Sequence, residues 1–237
     1  MIDFGLLMSV IVALAAPTLA ARIWPLRTFE PGTNVLDAMV LPAATGLVTG
    51  RLVTLALDDP RSIGRIADML VIRSGVEFWP AVLAAALVAA WSGRRERIEP
   101  LARLVDLAPL ALVGYGAYEA ACLFRDGCYG PVSPVGLRPD GMSTTMLPIG
   151  LLMAAGVVAS AAAVRHLRLV WSCGAIVAAA VALLAIVRGL GSIWLPRVGD
   201  ILTRQHRTSL VVAIVAAGVC LVQVLVGRRQ AVEGAPA

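Results

Sequence analysis

Long apolar segments, separated by short polar stretches, make up most of this chain. Seven segments are apolar over 16 to 23 residues, and none alternates between apolar and polar positions as a barrel strand does. A helix needs roughly 17–25 apolar residues to cross a bilayer, and lipid tolerates only spans whose backbone groups are bonded internally. The pattern predicts an all-α integral membrane protein with about seven transmembrane helices: Phe4–Ala21, Val35–Leu57, Val76–Trp91, Leu104–Phe124, Thr144–Val164, Leu169–Val187 and Thr208–Val226.

The third segment, Val76–Trp91, is the weakest of the seven. It is the shortest, and it carries Glu77 and Pro80 near its start. A proline inside a helix removes a backbone hydrogen bond. We therefore expect an earlier start, a kink or a re-entrant segment here.

The first segment, Phe4–Ala21, ends in small residues like a secretory signal. An acid, Asp3, stands where a signal peptide needs a basic residue, so we expect a retained span. Because no loop is long enough for a soluble domain, the chain is predicted to form one polytopic domain over residues 1–230, with a short polar tail over 231–237.

The composition excludes a soluble protein. Apolar residues make up 59% and charged residues 15% of the 237 residues, and the mean hydropathy is +0.86; soluble domains carry about 25% charged residues. All 20 basic residues are arginine, and the net charge is +5. Since these arginines are spread between apolar segments, they favour membrane phospholipid over nucleic acid as a partner.

The distribution of arginine also favours one orientation. With the N-terminus outside, ten arginines fall in 40 residues of cytoplasmic connections and nine in 60 residues of external ones. Cytoplasmic loops are enriched in basic residues, so the N-terminus is expected outside and the C-terminus inside. The many external arginines are expected to contact lipid headgroups, or to dock an acidic partner or an anionic lipid.

Four charged residues within the predicted spans are singled out, because a charge there is costly and usually faces a partner or a cavity. One interpretation is a structural ion pair between Arg51 and one of the acids; another is that Arg51 faces a lipid phosphate in an outward cavity. The candidates for intramembrane ion pairs are Arg51, Glu77, Asp106 and Glu119. A further pattern, Gly46-x-x-x-Gly50, predicts close packing between helices of this chain.

The cysteines do not form a metal-ligand pattern. Cys173 and Cys220 lie inside apolar segments and are interpreted as small apolar residues. Cys122 and Cys128 flank the outer end of the fourth span, where a disulfide is one alternative. Since no Cys-x-x-Cys pair or Cys/His spacing is present, we expect no metal, and we find no cofactor motif.

Several segments, in order, resemble prolipoprotein diacylglyceryl transferase, a bacterial enzyme of seven spans. Ala121–Gly130 is the most telling, with a loop of Gly127, Cys128, Tyr129 and Gly130 similar to the family's signature Gly-Cys-Phe-Leu-Asn-Gly-Cys-Cys-Tyr-Gly. The other similar segments are Phe4–Leu7, Thr45–Leu52, Ser74–Pro80, Asp106–Pro109 and Leu202–Leu210.

The resemblance implies a bundle in the bacterial cytoplasmic (inner) membrane. It also implies transfer of a diacylglyceryl group from phosphatidylglycerol to the lipobox cysteine of a preprolipoprotein at the outer face. An arginine suits phosphate oxygens because its donors form a fork. The candidates for lipid or phosphate binding are Arg51, Arg125, Arg188, Arg197 and Arg204.

The chain departs from the family at positions that carry the chemistry. Phe4 stands where the family has a tyrosine, Trp79 where it has a histidine, and Glu119 where it has an arginine. The family's arginine near the end of the sixth span corresponds either to Arg188 or to Leu190. A carboxylate at position 119 repels phosphate, unless it pairs with Arg51 or Arg125 as an internal counter-ion.

Three functions are compatible with these residues. The first is a catalytically impaired member of the family that serves as a scaffold or accessory subunit of a membrane complex. The second is an active transferase that uses phosphatidylglycerol, and the third is a lipid-binding or transport protein. His166 is interpreted as a headgroup contact, and His206 is a minor candidate for a catalytic role.

Overall fold

The computed structural model describes residues 4–30, 34–62, 75–125, 129–139, 141–195 and 199–233. Most of the described residues are helical, and a small antiparallel sheet lies between the fourth and fifth long helices. The long helices are α1 (Phe4–Ile23), α2 (Val35–Asp58), α3 (Phe78–Arg95), α4 (Pro100–Ala120), α5 (Ile149–Leu167), α6 (Cys173–Trp194) and α7 (Gly199–Glu233).

Six of these helices are long and apolar enough to cross a membrane, so the prediction of an all-α membrane protein is confirmed. Helix α3, which corresponds to the weak third segment, is not among the six. The six candidate spans are Phe4–Ile23, Val35–Asp58, Pro100–Phe124, Ile149–Leu167, Cys173–Trp194 and Thr203–Gly227.

Polar side chains fix where several helices begin. The Asn34 side chain accepts a hydrogen bond from the Leu36 N–H before α2, and Ser172 accepts one from the Ala175 N–H before α6. Such caps satisfy N–H groups that lack a partner within the helix. Helix α2 begins at the predicted residue and α6 begins four residues after it, whereas α7 begins nine residues before and ends seven residues after the predicted segment Thr208–Val226.

Contacts divide the chain into two compact units, and residues Arg27–Leu104 form one of them. Its main feature is the packing of α2 against α3. A Cβ atom on Gly46 would lie 2.7 Å from the Ala81 carbonyl oxygen, and one on Gly50 would lie 2.6 Å from the Glu77 carbonyl oxygen. The predicted packing role of Gly46-x-x-x-Gly50 is confirmed, because only glycine allows this approach.

The other unit comprises Met1–Leu26 and Val105–Ala237. Helix α6 packs against both α5 and α7, and α1 contacts the short 3-10 turn Ala121–Arg125 that follows α4. Side chains of α4, α5 and α6 form its core, and they are almost completely buried: Leu110, Val157, Ala161, Val164, Ala175, Ile176 and Ala185.

A β-hairpin lies between α4 and α5. Strand β1 (Tyr129–Leu137) pairs with β2 (Met146–Pro148), and the pairing is irregular in register. Gly130 packs against Ile149 and lies near the Trp194 carbonyl oxygen at the end of α6. The hairpin therefore marks one end of this unit.

The glycine contacts of α2 generate a prediction about stability. Replacing Gly50 with alanine places a methyl group against the Glu77 carbonyl at the start of α3, and such overpacking costs about 1–3 kcal/mol. We expect a lower midpoint of thermal unfolding for Gly50→Ala in detergent.

The matched control for this prediction is Gly218→Ala on α7. A Cβ atom there meets nothing within 4 Å, so its midpoint should be equal to or above that of the native chain, because alanine favours helix. Equal midpoints for the two variants would contradict the packing role of Gly50.

Candidate functional site

An arginine on α6 lies at the centre of a polar cluster in the Met1–Leu26 and Val105–Ala237 unit. Arg188 precedes the end of α6 by less than two turns, and only 15% of its side chain is exposed. Its Nη1 donates a hydrogen bond to the Tyr115 hydroxyl, and its Nη2 donates one to Gln205 Oε1 at 3.1 Å. Side chains of α4, α6 and α7 therefore meet at this guanidinium.

Helix α4 contributes a tyrosine and a carboxylate from one face. Tyr115 and Glu119 are four positions apart, which places them one turn from each other. The Tyr115 hydroxyl donates to Glu119 Oε1 while it accepts from Arg188. Glu119 Oε1 also lies 3.8 Å from Arg188 Nη1. The phenol thus bridges the two charged groups.

Helix α7 contributes a histidine next to Gln205. His206 Nδ1 lies 2.7 Å from Ser192 Oγ and 3.1 Å from the Gly189 carbonyl oxygen, both on α6. Ser192 Oγ in turn donates to the Gly189 carbonyl at 2.8 Å. These hydrogen bonds hold the first turns of α7 against the last turns of α6.

A cavity of about 100 Å³ lies beside this cluster. The cavity has room for several waters or one small anion. It is too small for a whole phospholipid. Its lining combines one charge of each sign, three neutral polar side chains and two apolar ones: Glu119, Arg188, Ser192, Gln205, Ser209, Met153 and Leu195.

The charges of the cluster balance. The Glu119 side chain is 16% exposed, close to the value for Arg188, so both charges are largely withdrawn from water. A buried charge is tolerated when it is paired and hydrogen-bonded. Glu119 supplies the counter-charge for Arg188, and Tyr115 and Gln205 supply hydrogen bonds.

The structure places two of the predicted site residues, Arg188 and Glu119, together in this cluster. Arg204 lies half-buried on α7, beside Gln205. The Arg125 side chain, Arg197, Gly127 and Cys128 lie outside the described residues. The remaining two residues of the signature-like loop, Tyr129 and Gly130, begin strand β1.

Asp106 lies at the opposite end of α4 and forms its ion pair with Arg168, which follows α5. Both side chains are buried, with exposed fractions of 1% and 8%. Close by in sequence, the Arg165 guanidinium lies 5.1 Å from the centre of the Trp24 ring. The Asp106–Arg168 ion pair therefore joins α4 to the end of α5.

Arg51 and Glu77 belong to the Arg27–Leu104 unit. Both are buried, and Arg51 Nη1 donates to the Gly75 carbonyl oxygen at 3.2 Å. The Glu77 N–H donates to Thr54 Oγ1 at 2.9 Å and to the Gly50 carbonyl at 3.1 Å. These bonds join α2 to the segment before α3, which is a structural role.

Cys122 is disulfide-bonded, while Cys173 and Cys220 are free. The expected partner of Cys122, Cys128, lies outside the described residues. Among the residues that the structure describes, no three His, Cys, Asp or Glu side chains are grouped so that they could hold a metal ion.

Sequence reasoning missed Tyr115, Ser192, Gln205 and Ser209 as members of the site. The spacing of Tyr115 and Glu119 was an available signal, because four positions place both on one helix face. Gln205 and Ser209 have the same spacing. Ser192 gave no signal, because a lone serine near a helix end is common in membrane helices.

Comparison of the sequence with protein-family models gives no match, and comparison with curated proteins gives none either. The cluster is therefore interpreted from its own geometry and from the sequence resemblance.

The ion pair between Arg188 and Glu119 generates a prediction about stability. In Arg188→Leu the Glu119 carboxylate stays buried without its counter-charge, and losing one partner of a buried pair costs about 3–5 kcal/mol. The double variant Arg188→Leu/Glu119→Leu removes both charges, so we expect it to be more stable than the single variant. Unfolding midpoints in detergent measure the difference.

Arg94→Leu serves as a control, because Arg94 is exposed at the end of α3. It should leave the midpoint nearly unchanged. A double variant less stable than Arg188→Leu would show that the two side chains act independently.

Proposed function

We propose that this chain is a divergent relative of the prolipoprotein diacylglyceryl transferases that has lost their reaction and acts as a scaffold or accessory subunit of a membrane complex. The observation that carries the proposal is the position of Glu119. Its carboxylate neutralises the arginine that would otherwise be available to a lipid phosphate.

The charge balance of the cavity supports this proposal. A phospholipid phosphate at Arg188 would meet the Glu119 carboxylate, which is 3.8 Å from the guanidinium. Two like charges within a few ångströms repel each other strongly where water is excluded. The native pair therefore disfavours the lipid substrate that the resemblance implies.

Two further side chains support the loss of the family reaction. Phe4 offers a ring without a hydroxyl, and 75% of it is exposed at the start of α1. Trp79, on α3, has no group that accepts a proton as a histidine does. These two positions, which the resemblance associates with chemistry, thus carry side chains without acid–base function.

The helix surfaces are suited to a role as a subunit. Only 11% of the α7 span and 17% of the α1 span are buried. Both present long apolar faces to the bilayer, where helices of a partner protein or lipid chains pack equally well.

A second candidate function, an active transferase using phosphatidylglycerol, is favoured by His206. This histidine lies one residue from Gln205 in the same cluster as Arg188. It would serve as a general base in place of the histidine that Trp79 replaces.

An assay of diacylglyceryl transfer tests the proposal. The purified protein is mixed with phosphatidylglycerol and a lipobox peptide, with an active member of the transferase family as the positive control. We expect no transfer, and we expect native mass spectrometry to find the chain in a fixed stoichiometric complex. Transfer that depends on His206 would overturn the proposal in favour of the second candidate.

We also propose that the chain lies in the bacterial cytoplasmic membrane with the hairpin end outside. The disulfide at Cys122 supports this orientation, since disulfides persist in oxidising compartments such as the periplasm. The hairpin end is then external, the N-terminus is outside and the C-terminus is inside.

Reporter fusions test this orientation. A fluorescent protein that matures only in the cytoplasm should be bright when fused after Ala237, and periplasmic alkaline phosphatase should be inactive there. The same pair inserted at Gly141, in the hairpin turn, should give the reverse result. An active phosphatase after Ala237 would place the C-terminus outside.

A further inference from the structure

The end of the Met1–Leu26 and Val105–Ala237 unit that lies away from the β-hairpin combines arginine, tryptophan and aliphatic side chains. Arg22 is in the last turn of α1, and Arg165 is in the last turn of α5. The Arg165 guanidinium lies 5.1 Å from the centre of the Trp24 ring, close enough for a cation–π contact. This contact joins the two helix ends into one surface, the basic end, which consists of Arg22, Ile23, Trp24, Arg165, His166, Leu169, Val170 and Trp171.

Two arginines of the basic end carry charges that the described residues do not balance. Asp106 neutralises the neighbouring Arg168, and both of these side chains are buried. By contrast, Arg22 is exposed and Arg165 is half-buried, and neither forms an ion pair or a side-chain hydrogen bond with a described residue. Their N–H groups are therefore available to an anionic partner.

Exposed aliphatic side chains lie next to these charges. Ile23, Leu169 and Val170 are each between 73% and 79% exposed. The N–H groups of residues 169–171 donate to carbonyls of the last turn of α5, so the backbone of this turn is already bonded. A turn of this kind tolerates contact with lipid, whereas an unbonded backbone does not. The turn between α5 and α6 is thus suited to the level at which acyl chains meet headgroups.

Two tryptophans also place the basic end at the surface of the bilayer. Trp24 follows α1, and Trp171 lies in the turn between α5 and α6. Tryptophan is enriched at the boundary between hydrocarbon and water, because its ring is apolar and its N–H is polar. Guanidinium groups at this level attract anionic lipids. The His166 side chain is exposed here as well, as expected for a headgroup contact.

A phospholipid matches this combination better than a soluble anion or an acidic protein segment. A soluble anion would contact the arginines and leave the aliphatic side chains unused. An acidic protein segment would have to cover aliphatic side chains that already lie at the level of the lipid. A phospholipid supplies a negative headgroup for the guanidinium groups and acyl chains for the aliphatic groups in one molecule.

We propose that the basic end is a binding site for a phospholipid with an anionic headgroup. Arg22 and Arg165 contact the headgroup, and the aliphatic side chains of the basic end contact the upper part of the acyl chains. Trp24 is a positioning residue, because its ring holds the Arg165 guanidinium. The lipid is a bound partner here and does not react, and the site is separate from the Arg188 cluster and independent of the proposed scaffold role.

Lipid titrations followed by native mass spectrometry test this site. The chain in mild detergent is titrated with phosphatidylserine or with phosphatidylcholine of the same acyl chains, since only the first lipid has a net negative charge. Each arginine near an anionic surface contributes about fivefold in affinity. We therefore expect the first phosphatidylserine to bind about 25-fold more tightly than phosphatidylcholine, and the difference should shrink as the salt concentration rises.

Matched variants assign the preference to single side chains. Arg22→Gln and Arg165→Gln should each weaken the binding of phosphatidylserine by about fivefold and leave that of phosphatidylcholine unchanged. Arg165→Lys should retain most of the preference, because it keeps the charge. Val170→Ser should weaken both lipids alike. The control is Arg207→Gln, an equal change of charge at an exposed position of α7 near the hairpin end, which should have no effect on this site.

Three results would overturn the inference. The first is equal affinity of the native chain for the two lipids, and the second is an equal loss of phosphatidylserine binding in Arg165→Gln and Arg207→Gln. The third is binding of a polyglutamate peptide that depends on Arg165 while lipid binding does not, which would make the basic end a protein-docking surface. Unfolding midpoints of the variants in detergent show that each remains folded.

Discussion

The ion pair between Arg188 and Glu119 determines what the hairpin end of the Met1–Leu26 and Val105–Ala237 unit can do. An arginine within an apolar span is tolerated only with a partner or a water-filled space beside it. Arg188 obtains its counter-charge from α4 and hydrogen bonds from Tyr115 and Gln205. Side chains of three helices are thus tied to one guanidinium, and the small cavity beside it takes its charge from the pair.

Helix packing within each unit depends on close contacts at small residues. Apolar burial drives helices together only weakly in lipid, so association depends on shape and on polar contacts. Gly114 of α4 allows the carbonyl of Ala13 on α1 to approach, and Gly191 of α6 makes room for Met153 of α5. Since Met153 also lines the cavity, the same packing that brings α5 and α6 together shapes the candidate site.

The helices were predictable from the sequence because each is a long apolar run, and six satisfy the requirements of a membrane span. The hairpin of β1 and β2 could not be predicted from the sequence. Strand β1 reads Tyr-Gly-Pro-Val-Ser-Pro-Val-Gly-Leu, and its two glycines and two prolines are typical of loops. Its pairing with β2 depends on the ends of α4 and α5 being close together, which no local pattern reveals.

The candidate site could be predicted only in part, because its ion-pair partners depend on how the helices pack. A charge inside a span identifies Glu119 and Asp106 as residues that need partners, but their sequence neighbours do not identify those partners. Asp106 pairs with Arg168 and Glu119 with Arg188, because the packing of α4 against α5 and α6 places those side chains together. The two acids could be identified from the sequence alone, whereas their partners could be identified only from the fold.

The most direct test of the central claim is the ionisation state of Glu119, read from the infrared difference spectrum between the native chain and Glu119→Gln at neutral pH. The ion pair predicts that the substitution removes a carboxylate band. A protonated Glu119 in the native chain would contradict its role as the counter-charge of Arg188.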